Sequence, residues 1–137
     1  MRIVIDASVA LKWVFDEPGS EYASALRADQ LIAPAIWLAE AANALWRRVR
    51  IKDITPERAN ARLTELLNAP VASLPIEPYL DAALRVATQL GHPVYDCLYL
   101  AIAIHHQTHV VTADRRFAAI GNQPDFTGRV RLLTAPT

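Results

Sequence analysis

Cysteine is nearly absent from this chain. Cys97 is the only one in 137 residues, which excludes an intrachain disulfide and any zinc site built on cysteines and fits a reducing compartment. Long apolar runs are missing too. The longest, around Leu98 to Ile104, ends in His105 and His106 and falls well short of the ~20 residues of a membrane span. Asp6 follows Ile3-Val4-Ile5 before an apolar signal region has formed. The expectation is a soluble, cytoplasmic protein that makes no use of a membrane. Net charge is absent as well: fourteen Lys and Arg face fourteen Asp and Glu, which excludes binding to nucleic acid through overall basicity. No repeat, low-complexity stretch or linker interrupts the chain, and its length suits one domain, 1–137.

What is present is core-forming material. Hydrophobic residue types make up 53% of the chain and the mean hydropathy is +0.14, values that exclude disorder. Short β-branched runs predict strands at Ile3–Ile5, Leu31–Ala33, Val71–Ile76 and His109–Thr112, with a last one at Arg129–Leu133. Between them, helices are predicted over Ser8–Phe15, Ser20–Ala28 with Ser20 as N-cap, Ala35–Arg50, and Thr55–Leu67 with Thr55 as N-cap. Three more are predicted over Leu80–Leu90 closed by Gly91, from Val94 or Tyr95 to Gln107, and over Arg115–Ile120. Strands alternating with helices predict an α/β fold, with a parallel sheet of four to five strands covered on both faces.

Four carboxylates sit in apolar surroundings. Asp6 ends the first strand, Asp114 follows the Val110-Val111-Thr112 strand, and Glu40 and Asp96 lie inside otherwise apolar helical segments. Carboxylates are rarely buried without partners, because losing their hydration is expensive. Asp6 and Asp114 stand at the carboxyl ends of strands, where open α/β sheets bind ligands. Each acid alone has an ordinary reading as a helix cap or a dipole partner. If all four converge, a divalent cation is the natural neutraliser at neutral pH, and all-oxygen ligation suits Mg²⁺, with Mn²⁺ as a substitute. A carboxylate-held metal of this kind hydrolyses phosphodiesters.

The segments Val4-Ile5-Asp6-Ala7-Ser8-Val9, Trp37 to Leu45, Tyr95 to Ala101 and Val111-Thr112-Ala113-Asp114-Arg115-Arg116-Phe117 together resemble PIN-domain ribonucleases, specifically the VapC-type toxins of bacterial toxin–antitoxin modules. The resemblance spans nearly the whole chain, and none of the four acidic positions departs from it. It implies a three-layer α/β/α PIN-like fold and an Mg²⁺-dependent endoribonuclease acting on RNA. It also implies a homodimer and a cognate antitoxin that blocks the site. It casts Asp6 and Asp96 as the principal metal ligands, with Glu40 and Asp114 completing the catalytic cluster.

Around these acids, Ser8 and Thr112 are expected to orient carboxylates or contact phosphate. Asn43, one turn from Glu40, is expected to steady it, and Arg115 and Arg116 to meet the RNA backbone. The basic run Arg47, Arg48, Arg50, Lys52 reads equally as a solvated helix end or a phosphate contact. His105, His106 and His109 read as a solvated helix end, since adjacent helical histidines diverge by about 100°. Trp13, Trp37 and Trp46 read as core or dimer packing. The competing functional reading is a non-catalytic PIN-like module that holds a structural cation and pairs with a partner protein. A phosphatase- or receiver-like domain is disfavoured, because Asp6-Ala7-Ser8 lacks the second nearby Asp that such hydrolases use.

Overall fold

A computed structural model of the chain describes residues 1–134; the expected domain end at residue 137 lies outside them. Five strands form one all-parallel sheet: β1 (Arg2–Ile5), β2 (Gln30–Pro34), β3 (Val71–Leu74), β4 (Val110–Thr112) and β5 (Val130–Leu132), in the order β3-β2-β1-β4-β5. Seven α-helices flank it in a three-layer α/β/α arrangement: α1 (Ala7–Ala10), α2 (Ser20–Ala25), α3 (Trp37–Arg50), α4 (Pro56–Leu67), α5 (Leu80–Leu90), α6 (Val94–His105) and α7 (Arg115–Ala118). The expected fold class is therefore observed.

The β-branched runs explain the central strands. Val4, Ile5, Val110 and Val111 are buried, as expected of strands covered on both faces. β1 is paired on both sides, Arg2 opposite Gln30 and Ile5 opposite Val111. From β1 the chain builds outward through β2 to β3, then returns to place β4 on β1's other side. The sheet thus reverses its winding between β1 and β4, and such a switch point opens a crevice at the carboxyl ends of the strands.

Helix α6 is the central helix. Every side chain from Cys97 to Ala103 is buried, so it is apolar all round, as a fully enclosed helix must be. Trp37 of α3 is also buried and donates its indole N–H to Ser73 Oγ at 2.9 Å. Trp13 is half-buried, with its indole N–H on the Ala23 carbonyl. Trp46 is 52% exposed, so core packing fails for that one tryptophan.

Most element boundaries agree with the sequence reading, and the exceptions have causes. The predicted Ser8–Phe15 helix is only α1 followed by a 3₁₀ turn, Leu11–Trp13. Ser20 does not cap α2: Gly19, in the left-handed region at φ 92°, precedes the helix. Ser20 Oγ instead donates to the Phe15 carbonyl and accepts from the Glu17 amide. Residues 26–28 tighten into a 3₁₀ turn. Thr55 does cap α4, accepting from the Arg58 amide at 3.2 Å, and Gly91 closes α5 at φ 63°. No helix among the described residues is long and apolar enough to cross a membrane.

Candidate active site

The crevice at the β1/β4 switch point gathers Asp6, Glu40 and Asp96. Asp6 follows β1 directly, in extended backbone (φ −79°, ψ 151°), and leads into α1 without capping it. It is the only buried member, 8% exposed. Two hydroxyls converge on its Oδ2: Ser8 Oγ donates at 2.6 Å and Thr112 Oγ1 at 2.8 Å. Each hydroxyl has one proton to give. Their lone pairs then accept from backbone, Ser8 from the Ala113 amide and Thr112 from the Asp114 amide, both at 3.0 Å. The carboxylate is thereby clamped between the end of β1 and the loop after β4, and neither hydroxyl touches Oδ1. The Ala7 amide adds a backbone hydrogen bond to the same carboxylate. Both hydroxyls thus touch the carboxylate they were expected to touch.

Glu40 lies in the first turn of α3, and Tyr99 on α6 donates its hydroxyl to Glu40 Oε1 at 2.5 Å. Asp96 lies in the first turn of α6, and its Oδ2 is 2.6 Å from His92 Nε2. The His92 ring lies near-parallel to that of Phe117 at 6.4 Å, and Phe117 also meets Tyr99 edge-on. Apolar side chains thus hold both hydrogen-bonding partners in place.

The electrostatics follow from this placement. Burial raises the Asp6 carboxyl above its ordinary value; the Ser8 and Thr112 hydrogen bonds oppose that, and the Asp96 charge adds to it. Burial pushes Glu40 up to about 7, against the Tyr99 hydrogen bond and with the charges of Asp6 and Asp96. The Tyr99 hydroxyl is driven far upward, first by burial and then by Asp6 and Glu40, so it is a fixed donor. Cys97, next to Asp96, is pushed to about 11 by burial and that charge, which makes it an inert thiol. Among the described residues no Lys or Arg pairs with Asp6, Glu40 or Asp96. The charge of Asp96 thus raises Asp6, and those of Asp6 and Asp96 raise Glu40, with no Lys or Arg to offset them, a donor set short of positive charge. Its oxygen-only chemistry suits a hard divalent cation. Among the described residues no group of three His, Cys, Asp or Glu is placed to hold a metal ion together.

Two expectations need correction. Asp114 does not join the cluster. It is exposed, its Oδ1 caps α7 by accepting from the Arg116 amide at 2.9 Å, and its charge has no part in raising Asp6 or Glu40. Asn43 does not steady Glu40: it is exposed and makes no bond to it, because Tyr99 reaches the carboxylate from the facing helix. Tyr99 and His92 were not anticipated. Tyr99 lies three residues after Asp96 and shares its helix face, the one signal that pointed to it. Arg115 and Arg116 are exposed at the start of α7. Of the basic run, Arg48 is structural. It pairs with Glu17 at 2.8 Å and stacks over Phe15 at 3.8 Å.

A family model for the PIN domain matches residues 3–123. The curated relative exonuclease VapC9 of Pyrobaculum aerophilum is 34% identical over 80 residues, covering 58% of this chain and 59% of that protein. The chain therefore spans about three fifths of that relative's length. Among solved structures, PAE2754 from Pyrobaculum aerophilum superposes with a TM-score of 0.73 at 26% identity, covering 96% of this chain and 83% of that one. Mycobacterium tuberculosis VapC20, described as a sarcin-ricin loop cleaving toxin, superposes with a TM-score of 0.66 at 17% identity, covering 87% and 95%. With most of its length matched by the family model, this chain belongs to the PIN domain family.

Proposed function

We propose that the chain is an Mg²⁺-dependent endoribonuclease, the toxin of a toxin–antitoxin pair. One observation carries the reading: at the switch point the charge of Asp96 raises Asp6, the charges of Asp6 and Asp96 raise Glu40, and none of the three has a Lys or Arg partner among the described residues. Asp6 and Asp96 hold the cation, and Glu40 holds it through water or holds a second one. When bound, the cation supplies the positive charge that keeps the carboxylates ionised together and activates water for attack on phosphorus. The chain does the positioning. Ser8 and Thr112 fix the rotation of Asp6, Tyr99 holds Glu40, and His92 holds Asp96. Asp114 caps α7 and so sets the direction of Arg115 and Arg116, which take the phosphates of the RNA strand. Exposed Trp46, Ile51, Leu67 and Leu84 supply apolar surface for the antitoxin and for a second copy in a homodimer.

The test is incubation with RNA in Mg²⁺ or chelator, comparing the parent with Asp6→Asn. Cleavage that needs Mg²⁺ and disappears in the folded variant is the expected result. Equal cleavage by both sinks the assignment, and no cleavage by either favours the non-catalytic module. The name of the VapC9 relative favours a second reading, cleavage from an end. A circular RNA separates the two, since only an endonuclease opens it.

A further inference from the structure

At the other end of the sheet, the starts of β1, β4 and β5 border a cleft of about 450 Å³. Arg2, Arg129 and Arg131 line it together with His106 and His109, and no Asp or Glu does. Three of the chain's other nine arginines are neutralised, Arg48 by Glu17, Arg62 by Glu65 and Arg85 by Asp81. The three cleft arginines have no carboxylate within ion-pair distance among the described residues.

They are nonetheless held in place. Arg129 Nη1 donates to the Thr108 carbonyl at 2.9 Å, and Arg131 Nε to the Gly128 carbonyl at 3.3 Å. Arg2 Nη1 meets His106 Nδ1 at 3.1 Å, and the opposite ring nitrogen of that histidine meets the Tyr79 hydroxyl at 3.2 Å. Each guanidinium spends one hydrogen bond on the fold and lines the cleft. His109 sits half-buried near Arg131. Asp29, the one carboxylate near enough to act on His109, does not line the cleft.

Convergent guanidinium groups without carboxylates are a receptor for oxyanions, since their planar N–H forks match phosphate. The cleft is open and polar, whereas sites for small ligands enclose most of the ligand among apolar side chains. An extended polyanion, gripped at a few phosphates and otherwise solvated, fits this shape better. We propose that the cleft binds the phosphodiester backbone of a nucleic-acid strand, as a contact separate from the carboxylate crevice. The two lie at opposite ends of β1, about 13 Å apart along the strand. A strand held at both is longer than the segment that touches the carboxylates.

The test measures binding of a labelled single-stranded RNA, a single-stranded DNA and a duplex DNA in chelator, so that cleavage plays no part. The variant is Arg2→Gln/Arg131→Gln, both exposed positions. The expected result is about tenfold weaker binding of strands at low salt. The slope of log affinity against log salt should fall by about 1.4, two phosphate contacts at about 0.7 each. Loss for RNA and DNA strands alike supports a backbone site, and loss for one of them identifies the strand it serves. Unchanged affinity and slope overturn the proposal. So does a loss confined to poly-glutamate, which assigns the cleft to an acidic protein. If the variant melts early, hydrogen exchange of the parent decides. Protection of residues 106–109 and 127–131 on adding RNA supports the site, and protection only around Asp6 and Asp96 overturns it. Failure of the cleavage reading leaves this readout intact.

Discussion

Replacing Glu40 by Gln should make the cation-free protein more stable, by an amount that depends on pH. Glu40 titrates near 4.5 when unfolded and near 7 when folded. A carboxyl whose folded value is the higher one stabilises fully below the unfolded value and loses that contribution as pH rises through the folded value. At about 1.4 kcal/mol per pH unit, the span amounts to ~3.4 kcal/mol. Glu40 is partly open to solvent, and screening cuts that to about 1.5 kcal/mol. Gln removes the charge and keeps an oxygen for the Tyr99 hydroxyl.

At ~2.1 cal/mol/K per residue for a chain of this length, 1.5 kcal/mol is about 5 °C in Tm. Calorimetry in chelator should therefore show E40Q melting about 5 °C above the parent at pH 8, with the curves converging at pH 5, where Glu40 of the parent is already protonated. Mg²⁺ at a hundred times its Kd should raise the parent by about 2.7 kcal/mol and the variant by less. A variant no more stable than the parent at pH 8, or one with the same advantage at pH 5, refutes the argument that burying the Glu40 charge, with Asp6 and Asp96 beside it, sets the cost of this site.

Thr112→Val keeps the shape of a fully buried side chain and removes its donor to Asp6 and its acceptor for the Asp114 amide; urea denaturation at pH 7 should show a loss of about 1–3 kcal/mol, and a change below about 0.5 kcal/mol counts against the clamp. Leu100→Ala, at a fully buried position of α6, should cost about 2–5 kcal/mol in the same assay. Arg115→Gln/Arg116→Gln should weaken RNA binding across sequences and lower its salt slope without moving Tm; an unchanged slope removes these arginines from the RNA path.

The sequence foretold the sheet because its central strands are buried on both faces, so Ile3-Val4-Ile5 and Val110-Val111 read as continuous β-branched runs. Asp6, Asp96 and Glu40 stood out because a carboxylate in apolar company needs a reason, and all three have hydrogen-bonding partners in the fold. Asp114 followed an equally apolar strand, yet a residue between strand and helix can serve as a cap, and local pattern does not separate the two roles. Tyr99 stayed hidden because its partner Glu40 is 59 residues away, and an aromatic inside an apolar helix looks like packing. Ser20 failed as a cap because Glu17-Pro18-Gly19 already turns the chain, and Gly19 alone adopts the left-handed backbone there without strain. The strand order had no local signature, and it decides which ends of the chain meet.

That order has a consequence during synthesis. β1 is the first strand made and the central one in the sheet, and its neighbour β4 is not present until residues 110–112 have been added. The hydroxyl of Thr112 and the carboxylate of Asp6 are separated by 106 positions. No N-terminal fragment that stops short of β4 contains a complete crevice. A chain that emerges amino end first therefore closes the clamp on Asp6 only after the 106 additions that separate it from Thr112.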